Sequence, residues 1–429
     1  MEWNVKSALV RCGAIATALV ALLAPAVGAC TGDCDADGQV LVDEIVLGVG
    51  LALGTAPTSS CFAYDRNFDD VVTVDEILDA VGAALEGCPT PQTTAFVIAT
   101  NFETGSFTTV DLASRQVELA ASPARRVNAD AIARQFGERV YVVNRFGLMG
   151  DSVQARDPAS EYAVVWDCST GAGSNPQDIA FTGPEKAYVA LLEERELLVI
   201  DPSVDSSCAG FVRGTIDLSA YADPDGIPEM GAMTVIDGLL YVTLQRLDRN
   251  DLFAPAGRGV VVVIDTATDA VLDAIEMAGE NPFSRMVQRG NRLWISSVGQ
   301  FTVRDAGIEA IDLETRQSLG FVVTEEALGG DITDFVVVAE HIGYAVVSGS
   351  DFSNSLVEFA PETGTVTRTL IGGSRFIAQV QVTDRGELYV SDRSATSPGL
   401  RVYGVRDGIE LPGSPLDLGL PPFDVTFLR

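Results

Sequence analysis

The chain has 429 residues, 28 basic side chains against 60 acidic ones, a formal net charge of −32, a single histidine and seven cysteines. That charge excludes nucleic acid and anionic membranes as main partners, because phosphate recognition needs clustered Lys and Arg. One histidine excludes a catalytic histidine pair and any poly-histidine metal site, and an apolar content of 47% excludes a disordered acidic chain. The charge is uneven: residues 30–90 hold twelve Asp and Glu against Arg66 alone, a net of −11, with +1 before them and −22 after.

Lys6 and Arg11 lead into an apolar run from Ala14 to Leu23 that ends in Ala26-Val27-Gly28-Ala29-Cys30. A charged start, a short apolar stretch and small residues before the cut predict a secretory signal over 1–29, cleaved after Ala29. The run is too short to span a bilayer, and no later stretch qualifies, so no transmembrane span is expected. A rival reading takes Val27-Gly28-Ala29-Cys30 as a loose lipobox that anchors the chain through Cys30. Cysteine parity argues against it: without Cys12 six remain, Cys30, Cys34, Cys61, Cys88, Cys168 and Cys208, and lipidating Cys30 would strand one in an oxidising compartment. The four early cysteines allow three connectivities.

The stretch from Asp33 to Glu44 places oxygens at loop positions 1, 3, 5, 7 and 12: Asp33, Asp35, Asp37, the Gln39 carbonyl and Glu44, with Gly38 at the sharp turn. A hard cation such as calcium takes six to eight oxygens, and this spacing wraps them round one ion. Thirty-two residues later the pattern returns as Asp65, Asn67, Asp69, the Val71 carbonyl and Glu76, with Thr73 placed to hold a water at position 9. After each loop an apolar stripe repeats, Val42, Ile45, Val46, Val49 and Leu53 matching Val74, Ile77, Leu78, Val81 and Leu85. This is one helical face, and the two faces are expected to bury each other. Val40 and Val72, both at position 8, are expected to pair the loops through short β contacts.

Residues 30–90 resemble a dockerin-type module, in which two loop-helix halves of EF-hand chemistry pack together. The resemblance implies two structural calcium ions and a cohesin partner, read in the family through small hydroxyl residues at loop positions 10 and 11. Here those positions hold Val42-Asp43 and Val74-Asp75, a departure that bears on cohesin recognition and leaves the calcium ligands intact. A second departure is Asp70 at position 6, where loop one has Gly38. With three ligand carboxylates against four, the second site is expected to be the weaker.

Pro89 and Pro91 mark a linker, after which the pattern turns to period two. Aromatic-led strands recur at Phe96, Tyr141, Tyr188, Tyr241, Trp294, Tyr344 and Tyr389, spaced 45 to 53 residues apart. Such a period predicts a β-propeller of seven blades over 95–429. Third strands are read at Thr109-Val110-Asp111, Val165-Trp166-Asp167, Val199-Ile200-Asp201, Val263-Ile264-Asp265 and Ala310-Ile311-Asp312, with degenerate copies at Val357-Glu358-Phe359 and Val402-Tyr403-Gly404. Phe423 to Leu428 is left over and fits as the innermost strand of blade one, which closes the ring and removes an open edge. The competing architecture is a β-solenoid. Ile98-Ala99-Thr100-Asn101 and Tyr141-Val142-Val143-Asn144 resemble the YVTN-type propeller repeats of secreted and surface proteins, a likeness that implies fold more than function.

Asp130, Asp178 and Asp334 stand ten or eleven residues before their anchors, and Asp424 holds that place in the closing strand. They are read either as a ring of carboxylates at one channel mouth or as caps that accept backbone N–H bonds. Long loops are expected at 145–161 and 245–259 on the same face, with mixed charges that read as local ion pairs or as an acceptor surface. His341 is placed in a turn of blade six, and Cys168 with Cys208 in a disulfide between blades two and three. The sequence therefore predicts a mainly β protein: a seven-bladed propeller preceded by a small all-α paired EF-hand module, secreted or at the cell surface. The module binds two Ca2+. The propeller is an extracellular scaffold for a protein or polysaccharide, the alternative being an enzyme acting on a lactone or glycan through the mouth carboxylates.

Overall fold

The computed structural model describes residues 30–118, 125–147 and 149–429, so the proposed signal over 1–29 lies outside the described residues. Two helices come first, α1 (Val42–Ala52) and α2 (Val74–Glu86), followed by seven antiparallel sheets. Blades two to six each contain four main strands in sequence order. Blade two, for example, runs Ala131–Phe136, Arg139–Asn144, Ser152–Asp157 and Ala163–Ser169. Blade seven has three strands, and bridges Leu400 to Leu416 and Tyr403 to Glu410 finish its outer edge.

Blade one is completed by the chain end. Pro422–Leu428 lies antiparallel against Thr94–Thr100, with Val425 opposite Val97 and Asp424 opposite Ile98. The ring closes as expected, and the solenoid alternative falls. All seven aromatic anchors lie on second strands and are buried, because side chains there point into the seam between neighbouring blades. Acidic turns follow several third strands for a local reason. The carboxylate of Asp111 accepts from Ser114 N, that of Asp265 from Thr268 N and that of Asp312 from Thr315 N. Each side chain thus caps a turn amide left over by the backbone bond to its own carbonyl, and these bonds hold all three carboxyls below their ordinary range.

One third strand was misplaced. Val165-Trp166-Asp167 belongs to the outermost strand of blade two, and the third strand is Ser152–Asp157, inside the stretch taken as a long loop. Val153 and Ala155 are buried there as an apolar pattern asks, but the other two buried side chains, Gln154 and Arg156, are polar. Gln154 donates to Asp167 at 2.8 Å, and Arg156, 1% exposed, donates to Gln154 and to the Tyr162 carbonyl. The 245–259 segment does project, and carries a small hairpin pairing Leu247 with Pro255.

The helix faces also differ from expectation. Val42, Val46, Val49 and Leu53, with Val74, Leu78 and Leu85, are exposed. Ile45 and Ile77 of the two stripes do pack against the module core, which forms around Tyr64 with Cys30, Val40, Leu51, Cys61, Ala63, Val72 and Ala80. Small residues decide this. Tyr64 lies so close that a Cβ on Gly48 would stand 2.3 Å from its ring, and its hydroxyl donates to the Glu44 carbonyl at 3.0 Å. Val40 and Val72 are both buried, yet among the described residues no β bridge joins them.

Disulfides join Cys30 to Cys88, Cys34 to Cys61 and Cys168 to Cys208, with Cα–Cα distances of 5.4, 5.1 and 5.6 Å. The Cys30 sulfur is therefore committed to Cys88, which leaves no thiol for a lipid. Three disulfides fit an oxidising compartment. Among the described residues no helix is long and apolar enough to cross a membrane.

Candidate calcium loops and the channel face

The two acidic loops fold alike, bond for bond. In loop one, Asp33 accepts from Asp37 N and Gly38 N, Asp35 from Asp37 N, and Asp37 from Gln39 N. In loop two, Asp65 accepts from Asp69 N and Asp70 N, Asn67 from Asp69 N, and Asp69 from Val71 N. Glu44 reaches back to Cys34 N and Leu41 N, and Glu76 to Arg66 N and Thr73 N. Each glutamate thus caps its helix and swings its carboxylate over the loop. Carboxylate oxygens of Asp33, Asp35 and Asp37 lie within 4.8 Å of one another. Such crowding of like charge suits an oxygen-seeking dication. Thr73 caps α2, and its hydroxyl donates to Glu76 at 3.1 Å.

At the propeller's channel, three of the four singled-out aspartates play one part. Asp178 accepts from Met233 N, Asp334 from Val380 N and Asp424 from Ala133 N, at 2.9, 2.8 and 2.9 Å. Each bond runs from the inner strand of one blade to the inner strand of the next, so these carboxylates staple neighbouring blades. The aspartates do accept backbone N–H bonds, but from a strand of the next blade and not from the turn between blades. All three pair with a strand residue two positions past an anchor: Asp178 with Ala190, Asp334 with Val346, Asp424 with Ile98. In blade two the equivalent residue is Ile132, opposite Val143, so Asp130 falls outside the pattern and pairs with Arg145 at the rim. Gln379 was missed. It accepts from Val425 N at 2.6 Å and donates to Asp424 at 2.6 Å, stapling blade seven to blade one. The spacing could have found it, since it stands ten residues before Tyr389.

Arginines balance these acids. Arg134 sits 2.9 Å from Asp178 and 3.7 Å from Asp424, and Arg285 sits 3.8 Å from Asp334. Burial opposes the Arg134 charge, but the two aspartates outweigh it and its pKa rises. Burial pushes the Asp334 carboxyl up to about 6.

Above this charged floor stands an apolar rim that sequence reading missed. Phe102, Phe146, Phe253, Phe301 and Phe352 occupy the segments after second strands, and Phe283 and Phe376 the connections into blades five and seven, all exposed. The available signal was a Phe five to eight residues after an anchor in blades one, two, five and six. Phe102, Phe253 and Phe352 have φ of 68°, 60° and 60°, a left-handed backbone that bulky residues rarely adopt. Phe283, Phe301, Phe352, Phe376 and Phe423 wall a cavity of about 420 Å³ whose floor includes Arg134, Asp178, Arg285, Asp334 and Asp424. The mixed charges of the long loops are largely spent locally: Arg145 pairs with Asp130, Arg249 with Glu193 and Glu229, and Arg258 with Glu276.

No protein-family model matches the chain, and no curated protein matches it. Among solved structures it is similar to apo AztD from Citrobacter koseri, at 11% identity over 79% of this chain and 98% of that one, TM-score 0.47. It is similar also to hydrazine synthase of Kuenenia stuttgartiensis, at 13% identity over 67% and 80%, TM-score 0.49. A third is the dihydro-heme d1 dehydrogenase NirN in complex with DHE, at 15% identity over 79% and 75%, TM-score 0.49. At such identities the likeness concerns the fold alone.

Proposed function

We propose that this is a secreted calcium-binding protein whose propeller serves as an extracellular binding scaffold. Residues 30–90 act as a dockerin-like pair of EF-hand loops, each holding one structural Ca2+. Asp33, Asp35, Asp37, the Gln39 carbonyl and Glu44 serve the first ion, and Asp65, Asn67, Asp69, the Val71 carbonyl and Glu76 the second. The observation that carries this reading is the bond-for-bond repetition of the two loops thirty-two residues apart. The calcium is structural because the module is small, and a small core gains from metal and disulfides.

The propeller binds through its phenylalanine rim, a cavity in the size range of ligand sites with apolar walls and a few polar groups below. A polysaccharide or protein segment with apolar faces and polar edges matches it. The module contacts the opposite face, at His341 and Arg406, and so leaves the rim clear. The outward ridges of α1 and α2 are the surface a cohesin-like partner would take. The alternative reading, a lactone- or glycan-acting enzyme, is supported less, because the mouth aspartates are engaged as blade staples.

The test is calcium calorimetry on oxidised 30–429 with Asp33→Ala and Asp65→Ala. Two binding events are expected, one lost in each variant. Absence of binding, or events that survive both substitutions together, would overturn the assignment of ligands.

A further inference from the structure

Loop two is where the module meets the propeller. The Phe68 ring packs against the apolar cluster of blades six and seven, where a Cβ on Gly386 would stand 3.0 Å from it. The Phe68 carbonyl lies 3.4 Å from His341 Nε2. Arg406, from the turn after Gly399–Gly404, lays its guanidinium 4.5 Å from the Phe62 ring centre and 5.4 Å from that of Phe68. Its Nη1 is 2.7 Å from Asp65 Oδ2 and pairs with Asp70 as well. Its Nη2 is buried without a hydrogen-bond partner. Among the described residues no arginine or lysine pairs with Asp33, Asp35 or Asp37 of loop one.

This asymmetry bears on calcium. Asp65 is the position-1 ligand of loop two, and a guanidinium fixed on its carboxylate repels any dication brought to the same oxygens. Arg406 also accounts for Asp70. Loop one has Gly38 at position 6 with φ of 86°, whereas loop two keeps an aspartate at φ of 63°, a backbone that favours glycine, and its carboxylate faces Arg406. Resting on the calcium reading above, we propose that Arg406 sets the affinity of the second site. It is a propeller charge that weakens calcium binding in loop two and couples filling of that loop to docking of the module. The coupling is reciprocal: calcium in loop two loosens the hold of Arg406 on Asp65.

Calcium calorimetry on the intact oxidised chain tests this with Arg406→Gln and Arg406→Lys, and Asp65→Ala identifies which event belongs to loop two. A unit charge and a dication roughly 6 Å apart in water repel enough to change affinity about tenfold. Arg406→Gln is therefore expected to tighten the loop-two event about tenfold. Arg406→Lys keeps the charge and leaves that event near wild type, and the loop-one event is unchanged throughout, which also reports an intact module. Unchanged or weaker loop-two binding in Arg406→Gln, or an equal change at both loops, would overturn the proposal and leave the calcium reading standing. Lack of any calcium uptake by the wild-type chain would overturn both.

Discussion

Asp424 carries the closure of the ring, and replacing it with alanine tests the staple argument directly. The side chain is buried, and it accepts from Ala133 N of blade two at 2.9 Å and from Gln379 Nε2 of blade seven at 2.6 Å. Arg134 stands 3.7 Å away and keeps Asp178 as its main partner. Asp424→Ala orphans two buried donors, each worth about 1–3 kcal/mol, so a loss of roughly 3–5 kcal/mol is expected. Asp424→Asn should lose about half of that, because its oxygen serves only one donor while its amide opposes the other. Asp130→Ala is the control. Its carboxylate is 33% exposed and pairs only at the rim, where such contacts are worth less than about 1 kcal/mol. Urea titration of the oxidised protein, followed by tryptophan fluorescence at matched m-values, gives the comparison. Equal losses for Asp424→Ala and Asp130→Ala would refute the idea that these aspartates hold blades together.

Two further outcomes are expected. Glu325 starts the short helix α3 (Glu325–Leu328), fully buried, and its oxygens accept from Ala306 N and Ile332 N. Burial pushes its carboxyl from 4.5 to about 8, so the folded chain keeps a proton that the unfolded chain releases. Stability from this group is therefore full below pH 4.5 and is lost as pH rises through about 8. Glu325→Gln removes the titration: it should be less stable than wild type at pH 5 by about 1 kcal/mol and more stable at pH 9 by a few, with parallel urea curves at both pH values as the check. At the rim, Phe352→Ala combined with Phe283→Ala should weaken retention on a responsive polysaccharide or protein matrix about tenfold or more without lowering stability, since both rings are exposed. Unchanged retention would move binding away from the rim.

Much of this protein was legible along the chain, and particular residues show why. The period of the aromatic anchors gave seven blades because each unit is a local antiparallel sheet whose second strand must bury one large ring. The left-over Phe423–Leu428 gave the closure, since an unpaired strand has to be satisfied somewhere. The likeness of the two acidic loops was visible because their polar residues are close in sequence and their turns are short-range.

Tertiary structure decided what depends on neighbours distant in sequence. Ser152–Asp157 carries only two apolar buried residues, Val153 and Ala155, while Gln154 and Arg156 are buried by partners distant from them, so burial at those two does not follow hydrophobicity. The stripes of α1 and α2 looked like a core, but Tyr64, inserted against Gly48, took that place and left the valines outside. Asp178, Asp334 and Asp424 read along the chain either as a carboxylate ring or as caps, and are staples because the next blade brings an N–H to each of them. The phenylalanine rim exists only once five loops and two connections converge round one channel. Arg406, more than 300 residues from Asp65 in sequence, reaches the second acidic loop only because the folded propeller presents a turn there.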